Sequence, residues 1–476
     1  MLNRFLVAAA VAALPAVAHA DSITQLKNQP PNGAQATYLL TDGTVLAQGY
    51  SNSDFWVLTP DKTGSYVNGT WKQVGSLQAG YAPSADASQV LADGRVIIQG
   101  GEYSNGGQFT LTNQGAIYDP VKQTFSVLKA PPHWKNIGDS PSVVLADGRY
   151  FLGDKLHPRG AILDPKTMQW SVAGYMGKND FNAEEGFTLM PDDSILTYDV
   201  QDHPQSEAWI PSKNKWVNRG STVVDLQSPP CCGCINYPPK NKCYYPPGEV
   251  GPAVLRPDRT VFATGSLHSG ASAGHTAIYT PGQGWAAGPD FPNGDDAGDN
   301  FASLLPNGDV LVEGSSCDLY IWDGTNLNDT RMCGGYSMQM ILPTGQILIG
   351  GSEVYNSTSM YKNAWRPTIS DFPSTVTGGS TYQISGTQFN GLSQGGGGMG
   401  DEYQTSTNYP LVQITNSSTK DVFFARTHDH STMGVATGKK SVSTNFDVPK
   451  NAETGASTLV VIANGIPSTP VSITVQ

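Results

Sequence analysis

One phrase recurs along the chain and limits what it can fold into: a leucine or methionine, two turn-forming positions, then an apolar run ending in glycine. The fullest copies are Leu40–Gly49 (LTDGTVLAQG) and Leu91–Gly100 (LADGRVIIQG); shorter ones begin at Leu145, Met190, Leu255, Leu305 and Leu342. The third residues of the seven phrases are Asp42, Asp93, Asp147, Asp192, Pro257, Asn307 and Thr344, at intervals of 51, 54, 45, 65, 50 and 37 residues. Asp-Gly or Asn-Gly between two apolar runs predicts a two-residue hairpin turn, because both central residues tolerate positive φ. Most copies continue into a third strand ending in Asp-Pro or a relative, then a fourth strand bearing an aromatic. Examples are Ala116–Pro120 before Thr124–Val127, Ala161–Pro165 before Gln169–Val172, and Glu207–Pro211 before Lys215–Val217.

Four strands per copy, seven copies and a spacing near 50 predict an all-β chain built on a seven-bladed kelch-type β-propeller over residues 21–364. Ile23–Leu26 reads as a fourth strand without its first three, while the seventh copy lacks a clear fourth strand. Residues 21–32 are therefore expected to close the last blade. From residue 365 to 476 the phrase stops. Thr381–Ser385, Leu411–Thr415, Leu459–Ile462 and Val471–Val475 are strand-like with turn residues between them, which predicts an immunoglobulin-like β-sandwich.

Residues 1–20 read as a signal peptide: a positive start at Met1–Arg4, an apolar run from Phe5 to Val17, and small residues at Ala18 and Ala20. The run is too short to remain in a bilayer, so a secreted or periplasmic protein without membrane insertion is expected. In an oxidising compartment the six cysteines read as disulfide formers. Cys231, Cys232, Cys234 and Cys243 crowd one proline-rich loop, and Cys317 and Cys333 flank a hairpin. A net charge of −12 offers no basic footprint for nucleic acid or an anionic membrane. It suits neutral glycans, cationic ligands or metal ions, and a monomer is expected.

Propeller ligands bind at the axial mouth, beside the residues that precede each innermost strand. Eight positions before the seven markers stand Ala34, Ala85, Asp139, Glu184, Glu249, Asp299 and Tyr336, with Asp86 and Glu185 one residue further along. Asp86, Asp139, Glu184, Glu185, Glu249 and Asp299 are thus the candidate ligand-binding residues. Converging carboxylates can hold a cation or grip hydroxyl groups, and they push some of their own pKa values upward. The plainer alternative is that these acids only cap strand ends. Tyr103, Tyr237, Tyr244 and Tyr245 are aromatics able to stack on sugar rings.

The order of signal peptide, seven blades and small β-sandwich resembles the galactose oxidase and glyoxal oxidase group of copper radical oxidases. Local likenesses are Gly335–Gly345 (GYSMQMILPTG), Asn408–Val412 (NYPLV) and Thr427–Ser431 (THDHS). The resemblance implies a C-terminal loop that carries a copper-binding histidine into the propeller axis, which His430 matches best and His428 next. It also implies an axial tyrosine, matched by Tyr336, as a metal ligand and catalytic residue. In the family that tyrosine is followed by a second histidine; here Ser337 follows, and no cysteine precedes Cys231 to form the family's thioether cross-link. Copper or another divalent cation is the implied cofactor.

Three readings follow. The first is a secreted propeller that binds carbohydrate or a cell-surface polymer at an acidic axial mouth. The second is a copper- or other metal-dependent oxidoreductase acting on alcohols or aldehydes through a rebuilt metal site. The third is an envelope adhesion or scaffold protein.

Overall fold

In the repeated phrase the acidic residue and the glycine have separate tasks. Leu40 N donates to Thr44 O and Gly43 N to Leu40 O, closing the hairpin loop. Asp42 Oδ1 accepts from Thr44 N at 3.0 Å. The same side-chain cap recurs at Asp93 to Arg95, Asp147 to Arg149 and Asp192 to Ser194, and one residue later in its phrase at Asp258 to Thr260. Positive φ is confined to the residue after the cap: Gly43 at 75°, Gly94 at 84°, with Asp193 and Arg259 taking the same conformation where glycine is absent. The two-residue turn expected from Asp-Gly is therefore replaced by a three-residue loop closed by one left-handed residue. The aspartate prefers to cap the backbone two residues on rather than adopt positive φ itself.

The computed structural model describes residues 21–237, 242–397, 402–403 and 406–476; the expected signal segment, residues 1–20, lies outside the described residues. The described chain is all-β. Among the described residues six four-stranded antiparallel sheets and one of five strands, the sixth, numbered one to seven in chain order, begin with strands Ala36–Leu39, Ala87–Val90, Ser142–Val144, Thr188–Leu189, Val250–Leu255, Ala302–Leu304 and Gln339–Ile341. Sheet seven takes its fourth strand from the beginning of the described chain. Ser22–Gln25 pairs antiparallel with Glu353–Asn356, Ser22 opposite Asn356 and Gln25 opposite Glu353.

First strands of neighbouring sheets pack side by side: sheet one on two, two on three, four on five, five on six, six on seven, and seven back on one. The aromatics of the outer strands fill the wedges between sheets. Phe125 of sheet two meets Phe55 of sheet one at 4.6 Å between ring centroids, and Trp285 of sheet five meets Tyr198 of sheet four at 6.2 Å. Burial of such rings is the main apolar gain available to sheets this short.

After residue 365 a nine-stranded sheet forms from Thr368–Asp371 to Val471–Val475. Ile384, Val412, Phe446, Val461 and Ile473, drawn from across this sheet, share one core, so the sheet curls on itself. It docks on the hairpin loops of sheets one to three: Thr427 N donates to Thr41 O, Arg426 Nη1 to Asp93 O, and Met433 N to Ala146 O. No described helix is long and apolar enough to cross a membrane. Two disulfides form, Cys234–Cys243 and Cys317–Cys333. Cys231 and Cys232 depart from the expectation; both are free, exposed thiols, because Cys234 takes Cys243 across the short hairpin of Ile235–Tyr237 and Lys242–Tyr244.

Candidate functional site

Each sheet enters its first strand through a residue with left-handed backbone: Gly33, Ala85, Gly138, Glu184, Gly248, Asp299 and Tyr336. Four of these are not glycine, and side chains held in that region cost energy that persists only where the surroundings enforce it, commonly at sites. These entry residues, the lips of the sheets, lie at the opposite ends of the first strands from the hairpin loops on which the C-terminal sheet docks.

Described residues of one C-terminal stretch nevertheless reach the first strands and the lips. Gly396–Gly397 adds a fifth strand to sheet six against Ala302–Ser303, and Gly395 O accepts from Leu304 N at 2.8 Å. Gln394 Oε1 accepts from Leu189 N of sheet four at 2.6 Å, and the Ser406 hydroxyl donates to Gln89 of sheet two at 3.1 Å. Tyr403 N donates to Asp86 O at 3.0 Å, and its hydroxyl accepts from Ala85 N at 2.6 Å. The described residues of this stretch thus touch sheets two, four and six at once. The glycines make that approach fit: Gly395 has φ 93°, and a Cβ there would stand 2.3 Å from Thr407 Oγ1.

Glu402, carried by this segment, completes a basin of carboxylates. Lys155 Nζ pairs with Asp139 and, at 2.6 Å, with Glu184 Oε1. The Tyr244 hydroxyl donates to the same Glu184 oxygen at 2.5 Å, and the lysine stands 5.0 Å from the Tyr244 ring centroid. Desolvation holds the Asp139 carboxyl above the ordinary range even though Lys155 pulls it down, and Glu102 and Glu184 add to the rise. Glu402 is raised by desolvation and then by Asp139, Glu102, Asp299 and Glu184. Glu249 is raised by desolvation and by Glu184 and Asp299. Asp299 reaches water along the wall of this well while protein atoms surround it; lost hydration, followed by the Glu184 charge, pushes it up to about 6. So many acids around one ammonium leave protons to be shared or a cation to be bound. A neighbouring cavity of about 590 Å³ shares Tyr244 with the basin and is lined also by Asp154, Arg159, Phe181, Lys242 and Tyr245.

Of the six acids expected at the mouth, Asp139, Glu184, Glu249 and Asp299 converge here. Asp86 and Glu185 do not. The Asp86 carboxyl is wholly buried within the field of Tyr38, Tyr81, Tyr150 and Tyr403, and desolvation, eased a little by Ser88, pushes it up to about 7. Glu185 points away from its neighbour Glu184, across the left-handed turn at Glu184, and pairs with Lys178 at 2.9 Å.

Tyr336, His428 and His430 are not brought together. The Tyr336 hydroxyl donates to Ser315 O at 2.6 Å, and its N–H is taken by Glu313 Oε1 at 2.5 Å. His428 lies between Asp429 and Asp447. His430 is half-buried face to face with Tyr409, its Nδ1 on the Thr444 hydroxyl at 2.8 Å. His430 and its neighbour Asp429 stand by the hairpin loops of Asp93 and Asp147, at the far ends of the strands from Tyr336. The His-Asp-His stretch bonds within the C-terminal sheet, while the C-terminal residues that reach the lips belong to the glycine-rich stretch. The side chains converging on Lys155 are carboxylates and a phenol, which suit a hard ion, whereas copper(II) favours nitrogen in a tetragonal set. The residues at this site do not fit copper as the family resemblance implied it.

Sheets and basin define an all-β protein with a galactose-oxidase-like fold. No family model and no curated protein matches the chain. A fungal alcohol oxidase of the AA5 family, solved in complex with copper, is similar over 96% of this chain and 98% of its own, with TM-score 0.52 and 12% identity. Virginiamycin B lyase from Staphylococcus aureus is similar over 70% of this chain and 97% of its own, with TM-score 0.46 and 10% identity. At these identities the first likeness speaks to fold.

Sequence reasoning missed Glu102, Lys155, Glu402 and Tyr403. Glu102 and Lys155 follow second strands, outside the register shared by the starts of first strands. A signal for Lys155 existed: where sheets two and seven carry Gly100–Gly101 and Gly350–Gly351, sheet three has Gly153-Asp154-Lys155.

Proposed function

We propose that the chain is an exported protein whose seven sheets are the blades of a kelch-type propeller, residues 21–364, followed by an immunoglobulin-like domain, residues 365–476. In this reading it binds a polyhydroxylated ligand, a carbohydrate or cell-surface polymer, in the acidic basin at the axial mouth. The observation that carries it is the convergence of Asp139, Glu184, Glu249 and Asp299, from four consecutive sheets, with Glu402. Ionised carboxylates accept hydrogen bonds from sugar hydroxyls, and Tyr245 and Phe181 offer exposed rings in the adjoining cavity. The test is glycan-array and calorimetric binding with wild type and with Glu249→Gln/Asp299→Asn, whose side chains line the accessible wall. Saccharide binding that this variant loses supports the reading. A blank array for wild type sinks it.

The whole-length likeness to an alcohol oxidase supports the second reading, an oxidoreductase of alcohols or aldehydes with a rebuilt metal site, more directly than it supports binding alone. In that case the carboxylates hold the ion, and the raised acids Glu249 and Asp299 can take and return a proton at the substrate hydroxyl. Stoichiometric metal together with peroxide formed from alcohol and dioxygen establishes it. Metal-free protein that makes no peroxide removes it.

A further inference from the structure

A second cluster lies behind the lip of sheet four, closed to solvent. Lys178, Asp180, Glu185, Asp199 and Glu207 are all buried. Lys178 Nζ contacts Asp180 Oδ1 at 2.8 Å, Glu185 Oε1 at 2.9 Å and Glu207 Oε1 at 2.6 Å. Asp180 Oδ2 accepts from the N–H groups of Gln201 and Asp202, and the Thr197 hydroxyl donates to Glu185 Oε2. Asp199 Oδ2 accepts from Asn179 Nδ2 at 3.0 Å, but Asp199 Oδ1, on a side chain 2% exposed, has no hydrogen-bond partner. One carboxylate oxygen from each of Asp180, Asp199 and Glu207 lies within 4.8 Å of the others.

We propose that Asp180, Asp199 and Glu207 bind a divalent cation, calcium by its coordination chemistry, as a structural site distinct from the axial basin. The charges require something of this kind. Four carboxylates against one ammonium leave a net charge of −3 in a dry region, which a divalent ion reduces to −1. Uncompensated buried charge is among the costliest arrangements in a protein. The donor set is all oxygen, which suits calcium, magnesium or manganese rather than a thiophilic metal. Oxygens bound to one calcium at about 2.4 Å lie no more than about 4.8 Å apart, so the spread of these three oxygens matches one shared ion of that size. The orphaned Asp199 oxygen supplies the vacant donor. Bridging the lip segment at Asp180 to the second and third strands of sheet four, the ion also fixes the backbone that carries Glu184 into the basin.

The competing arrangement is that the acids keep protons instead. Full-length mature protein is stripped with EDTA and titrated with CaCl2, MgCl2 and MnCl2 in separate arms. Thermal unfolding, elemental analysis and terbium luminescence excited through tryptophan are the readouts. Lys178 Nζ lies 5.3 Å from the Trp216 ring, which places that indole beside the cluster as an antenna. We expect one equivalent of calcium, a Tm raised by several degrees, and terbium emission displaced by calcium. Asp199→Asn keeps an oxygen acceptor while removing a charge; it should lose both responses yet be at least as stable as wild type in EDTA. Glu207→Gln serves the same purpose should Asp199→Asn fold poorly. Glu402→Gln should leave the responses intact. Wild type with neither bound metal nor a Tm shift overturns the inference, and the acids are then protonated. A response that survives Asp199→Asn but disappears in Glu402→Gln overturns it as well, assigning the ion to the basin.

Discussion

Lys155 Nζ, with no surface open to water, lies 2.6 Å from Oε1 of Glu184, a residue held in left-handed backbone at φ 61°. The pair joins the end of the second strand of sheet three to the lip of sheet four, so charge pairing and strand packing fix the same geometry. Tyr244, from the disulfide-closed hairpin, completes the contact through its hydroxyl.

Removing the cation should therefore cost more than removing packing. Lys155→Met takes the ammonium from Asp139 and Glu184, and breaking a buried ion pair from one side costs about 3–5 kcal/mol. Urea unfolding at pH 7 should show a loss of that size. The deficit should shrink at pH 5, because burial raises the Asp139 carboxyl and the variant no longer has Lys155 to pull it down. A deficit independent of pH assigns the lysine a packing role.

How far the sequence discloses this arrangement depends on what repeats. The cap-and-glycine phrase recurs seven times, so strand starts align and four basin acids lie in one register. Register alone does not say which way neighbours face: Glu184 and Glu185 stand one residue apart yet enter different clusters. Glu402 belongs to a segment without a periodic counterpart, and its glycines read as loop until the first strands crowd around them. A lone lysine such as Lys155 reads as a surface residue, because lysine is almost never fully buried unless paired. The His-Asp-His stretch carries the opposite lesson. Imidazoles that hydrogen-bond within a sheet, as His428 and His430 do, and imidazoles that bind a metal look alike in one dimension.

The glycine-rich stretch gives a prediction of its own. Tyr403→Phe takes the acceptor from Ala85 N–H in a buried place, a loss of about 1–3 kcal/mol. Gly395→Ala brings a Cβ against Thr407 Oγ1 in left-handed backbone and should cost more than about 1 kcal/mol. Both variants should lower Tm and speed proteolytic cutting between residues 394 and 409. Unchanged cutting means the segment is held by other contacts.

Asp86 supplies a pH prediction. Its folded pKa, near 7, exceeds the ordinary 3.8, so the folded state holds the extra proton. The contribution is whole below 3.8 and is lost as pH rises through 7. Between pH 5 and pH 8 that loss amounts to about 3 kcal/mol. Asp86→Asn does not titrate, so its stability relative to wild type should rise by about that much from pH 5 to pH 8, read by urea unfolding at the two values. A constant difference removes Asp86 as the titrating group.

His430 works in the opposite direction. Burial, with the nearby His428 adding to it, pushes its pKa down to about 3, so the folded state keeps it neutral while the unfolded chain binds a proton below about 6.5. Stability is then lost as pH falls from 6.5 towards 3, by about 2 kcal/mol between pH 7 and pH 5. His430→Asn keeps a polar group near Thr444 and removes the titration; its acid-induced loss should be smaller by that amount. The ring also packs on Tyr409, whose hydroxyl bonds Leu39 O of sheet one. Hydrogen exchange in wild type at pH 5 should therefore quicken first around residues 409–433, where the C-terminal sheet docks. If instead the seven sheets loosen first, the acid-sensitive element lies in the ring, and the docking face is not where protonation acts.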